Sequence, residues 1–122
     1  PQQTTRLAKL RRLLKDADDA MDNLDRFTQL SRDFHIAVAE ASHNRVLVVQ
    51  LLSLGHISWP RHNATATAKL ARKILDVHTK LTNLIEKRDA AGARDLMDDH
   101  VNMIRARRVA EHGNDKAAAN CC

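Results

Sequence analysis

Three histidines carry the chemistry this chain could perform. His35, His78 and His100 stand in "RDFHIAVAEASHN", "ILDVHTKL" and "RDLMDDHVNMI", each among residues that mark the apolar side of a helix. A neutral imidazole offers one nitrogen lone pair to a proton or a divalent metal. A single inward histidine is more often a hydrogen-bonded core residue than a ligand. Three in one core are harder to satisfy, because unpaired buried polar groups are costly, and a shared cation removes that cost. Spacing strengthens the case. His78 lies about ten residues before the turn at Arg88-Asp89 and His100 about eleven after it, roughly 15 Å of helix each way. The two should meet at one height. His35 would arrive from another helix, with Ser31 one turn earlier on the same face. Imidazoles converging from facing helices are how bundles build metal sites. Spacing alone leaves two readings open, a metal site and a set of satisfied core histidines.

The other histidines, His43, His56, His62 and His112, fall at caps, breaks or the tail, where solvated roles are expected; His56 is the one that could face inward. Enzyme signatures are missing: no HExxH, no glycine-rich phosphate loop and no GxSxG. The Glu-x-x-His pattern of di-iron bundles fails too, since Leu75 and Met97 stand three residues before His78 and His100. No enzyme activity is expected.

The elements that must position these side chains are helices. Leu7, Leu10, Leu14, Ala17, Met21 and Leu24 follow the three-and-four spacing of an amphipathic helix, with Arg11, Arg12, Lys15 and Asp18 opposite. After a break at 22–25, Phe27, Leu30, Ser31, Phe34, His35, Val38 and Ser42 form the inward stripe of a second helix. Asn44 can cap a third, "RVLVVQLLSLGHI", which is apolar nearly all round and is expected to be the most buried. Pro60 ends it. A fourth helix is expected from about Ala64 to Lys87, with Ala71, Ile74, His78, Leu81 and Ile85 inward. Asp89 can cap a fifth, with Ala93, Leu96, Met97, His100 and Ile104 inward. The predicted fold is an all-α antiparallel bundle of five to six helices over residues 1–110, followed by a disordered tail at 111–122.

Composition agrees with one helical domain. The chain has 122 residues, only three glycines and two prolines, and no tyrosine. Its net charge of +5 is too mild to imply nucleic acid without a supporting motif, and 2% aromatic content leaves little for bases to stack on. Cys121 and Cys122, adjacent, cannot staple a core or form a spaced ligand set, which fits a reducing cytoplasm. No apolar run of membrane-spanning length and no signal peptide is visible. The chain opens with Pro, as a fragment of something longer would.

At this point the residues resemble a family. "LSRDFHIAVAEASHN" is similar to the D-x-x-F-H-x-x-(L/I)-x-x-A-S-x-N signature of the FadR-type C-terminal (FCD) effector domain of bacterial GntR-family transcription regulators. "VHTKLTNLIEKRDAAGARDLMDDH" resembles that family's second signature. The resemblance covers roughly Leu7 to Arg108. It implies a helical bundle that binds a small organic acid, often over a divalent metal (Zn, Ni or Mn) held by one Asp and three His, and that forms a homodimer setting the geometry of DNA-binding domains. By motif position the histidines are His35, His78 and His100. The carboxylate position is occupied by Ser31, a poor divalent-metal ligand. Asp33 is no substitute, being two residues from His35 and facing elsewhere. Three imidazoles plus water or the effector's carboxylate could complete the shell. A cationic anchor for the acid is expected at Arg61, with Arg45 and Arg72 as the next candidates. The family's winged helix-turn-helix domain and the first effector-domain helix are expected to be absent from these residues, so DNA would be contacted only through a domain not in this chain.

The leading expectation is an effector-sensing regulator domain. The alternatives are a metalloenzyme with an open position on a three-histidine metal, and a structural helical module.

Overall fold

The computed structural model describes residues 2–58 and 67–120; the expected anchor Arg61 and the break at Pro60 lie outside them. Five helices run in order: α1 (Gln2–Asp19), α2 (Leu24–Ala41), α3 (Arg45–Ser58), α4 (Ala68–Glu86) and α5 (Ala90–Asn120). No strand occurs among the described residues. This is the all-α bundle that the spacing predicts.

Each turn is set by local chemistry. Asn23 caps α2 by accepting a hydrogen bond from the Arg26 amide, and the Asn44 side chain accepts from the Leu47 amide at the start of α3. The Thr67 hydroxyl accepts from the Leu70 amide to open α4. The α4–α5 turn matters most, because it fixes the relative height of His78 and His100. Arg88 there takes a left-handed φ of 59°, its amide bonds to the Ile85 carbonyl, and the Asp89 amide reaches back to Leu84. That pairing closes a helix end in the Schellman manner without glycine. The Asp89 carboxylate then accepts from the Gly92 amide at 2.9 Å and starts α5. Gly92 suits this position, since a Cβ there would collide with the Asp89 carboxylate.

Helices α1, α2 and α4 pack on one another and supply the core: Leu10, Leu14, Ala17 and Ala20 from the α1 segment, Phe27, Leu30, Phe34 and Ala37 from α2, and Ala71, Leu75 and Leu81 from α4. Helix α5 lies along α4 and adds Ala93, Leu96 and Met97 at the core's edge. Exposed ion pairs bridge the same helices at Lys9–Glu40 (3.1 Å), Arg11–Glu86 (2.5 Å) and Arg72–Asp18 (2.8 Å). Such pairs add little stability each, but opposite charges at matching heights favour one register. Arg72 is thereby engaged on the surface between α4 and α1, which removes it as a free anchor for an acid.

Two expectations are corrected. Helix α3 is not deeply buried over its described side chains: Val46 and Val49 are 66% and 61% exposed, because among the described residues α3 packs only on α2 and one neighbour covers only one side of a helix. The α1 stripe, by contrast, is covered as its spacing predicts, with Leu10 only 1% exposed. Finally, the segment from residue 111, expected as a disordered tail, is helical: α5 continues to Asn120, through good helix formers such as Lys116 and Ala117 and without proline.

Packing identifies the residue on which stability turns. Phe34→Ala would open a cavity beneath both the core and His78 and should cost about 3–5 kcal/mol of unfolding free energy in a denaturant titration. Val49→Ala, on the exposed side of α3, should cost less than about 0.5 kcal/mol in the same titration.

Candidate functional site

The bundle brings the three histidines together. Helix α2 supplies Ser31 and His35, α4 supplies His78 and α5 supplies His100. His78 and His100 are 2% and 7% exposed, Ser31 is buried, and His35 is half-buried. The His35 and His78 ring centroids are 4.7 Å apart and edge-to-face, and those of His78 and His100 are 5.6 Å apart. The equal spacing of His78 and His100 about the α4–α5 turn therefore places them at one height, as expected. His43 is elsewhere, against Arg6 at the far end of α1.

Two features of the site escape a reading of the sequence. Phe34 stacks on His78, with centroids 4.4 Å apart and planes within 12°, so the middle ring is fixed from one side by the core. Phe34 reads as core filling in the sequence, yet a residue adjacent to His35 can touch the partner of His35. The second is Arg32, whose Nε is buried with no hydrogen-bond partner. It directly follows Ser31 on the site helix, whereas the expected cations lie in the middle of the chain. Arg45 is exposed at the start of α3. Below the cluster, fully buried Thr82 donates its hydroxyl to the His78 carbonyl at 2.9 Å, a polar group satisfied within α4.

Electrostatics keep the rings neutral. Burial, followed by the neighbouring His100, pushes His35 down to about 4. His78 falls to about 2, through burial first and then the neighbouring His35 and His100. Burial also lowers His100. Neutral imidazoles have lone pairs to offer, and two nitrogens here lack any partner: His78 Nε2 and His100 Nδ1. Such orphaned buried atoms are expensive in a finished core. As the rings stand, no three His, Cys, Asp or Glu side chains among the described residues form a ready metal site. Imidazole is a donor that divalent cations accept, but the three rings do not converge on one point as they stand.

The cluster makes stability depend on pH. Each ring titrates lower in the fold than its ordinary value of about 6.5, so the unfolded chain takes up protons first as pH falls. Stability from the neutral rings is full above about pH 6.5 and declines below it, by up to about 1.4 kcal/mol per pH unit for each ring. Denaturant titrations between pH 6.5 and 5 should show this slope, and His78→Leu should reduce it.

Comparison with known protein families gives one match. The family model for the FCD domain matches residues 2–103, a span that contains Ser31, Arg32, His35, His78 and His100. No curated protein and no solved structure matches the chain. The match takes in most of the sequence and all of the histidine cluster. The chain therefore belongs to the FCD family, the helical effector-sensing domains of GntR-type transcription regulators.

Proposed function

We propose that this domain senses a small organic acid at the His35–His78–His100 cluster, with a divalent metal such as Zn, Ni or Mn held by the three imidazoles. The observation that carries this reading is the pair of buried, unpartnered nitrogens, His78 Nε2 and His100 Nδ1, on adjacent neutral rings. A bound cation would supply a positive centre able to hold a carboxylate. The chain's own residues do the rest: Phe34 holds the middle ring, and Arg32, next to Ser31 in sequence, has a buried Nε without a hydrogen-bond partner. Arg61 stays a second candidate anchor.

The acid would act by differential affinity for two arrangements of a homodimer, and so shift the geometry of DNA-binding domains joined to it. DNA is reached only through such a domain. The apolar residues that α3 leaves open, Val46, Val49 and Leu52, support association between copies. The proposed setting is the bacterial cytoplasm; no helix among the described residues is long and apolar enough to cross a membrane.

A sensor is favoured over an enzyme because no carboxylate is buried among the residues whose side chains are described to act as base beside the histidines. One observation favours a purely structural module: the Phe34–His78 stack and the unconverged rings are also what a packed aromatic cluster would show. Thermal unfolding separates the two readings. A sensor should gain several degrees with Zn(II) and at least one of acetate, L-lactate, L-malate and citrate, and His78→Leu should lose the gain. A melting temperature that ignores the metal and all four acids identifies the structural module.

A further inference from the structure

We draw no further inference here: the strongest candidate, the exposed apolar face of α3 at Val46, Val49 and Leu52, carries none, because nothing in the structure shows what covers it and association between copies is already part of the proposed function.

Discussion

The constraint from which the rest follows is the burial of three uncharged imidazoles at one level of a helical bundle. His78 is the centre of it. Phe34 covers one face of its ring, and His35 and His100 approach it edge-on, so that burial on all sides keeps the ring neutral far below ordinary histidine behaviour. A core built only for stability would fill these positions with leucine, since orphaned buried nitrogens subtract from the folding free energy. Keeping them is a sign of a requirement other than stability. The turn at Arg88-Asp89 serves that requirement, because one residue more or less in it would rotate and shift His100 away from His78.

The remainder of the fold can be understood as support. Helices α1, α2 and α4 form a tight apolar wedge around Leu10, Phe34 and Leu81, and that wedge aims α2 and α4 at each other where their histidines emerge. The α5 helix contributes less to the core than to the site. Charged pairs such as Arg11–Glu86 lie outside, where their worth is in register more than in stability. The α3 helix stands apart from this support: it adds apolar surface, at Val46, Val49 and Leu52, that no described residue covers.

Much of this is legible in the amino-acid sequence. The inward periodicity of His35, His78 and His100, and the even placement of the latter two about a turn, follow from helix geometry alone, and the α2 and α4 stripes stand nearly as their spacing predicts. The capping residues Asn44 and Asp89 are legible for the same reason, since their side chains act within one turn of their own position. What escapes depends on contacts distant in sequence. The exposure of α3 does not follow from its composition, because an apolar helix looks the same whether it has three neighbours or one. The Phe34–His78 stack needs the angle between α2 and α4. The end of α5 escapes because polar, alanine-rich sequence is compatible with both helix and coil.

The most direct test of the account is histidine-resolved NMR on the isotopically labelled chain, following all seven imidazoles as pH is lowered from 8 to about 5. The account predicts that two rings, assigned by substitution to His35 and His78, remain neutral over that range, that His100 titrates below the ordinary histidine value, and that these three respond when Zn(II) and a carboxylic acid are added. Seven rings titrating near the ordinary histidine value of about 6.5 would contradict it, because the buried neutral cluster on which the fold, the site and the sensing role all rest would not exist.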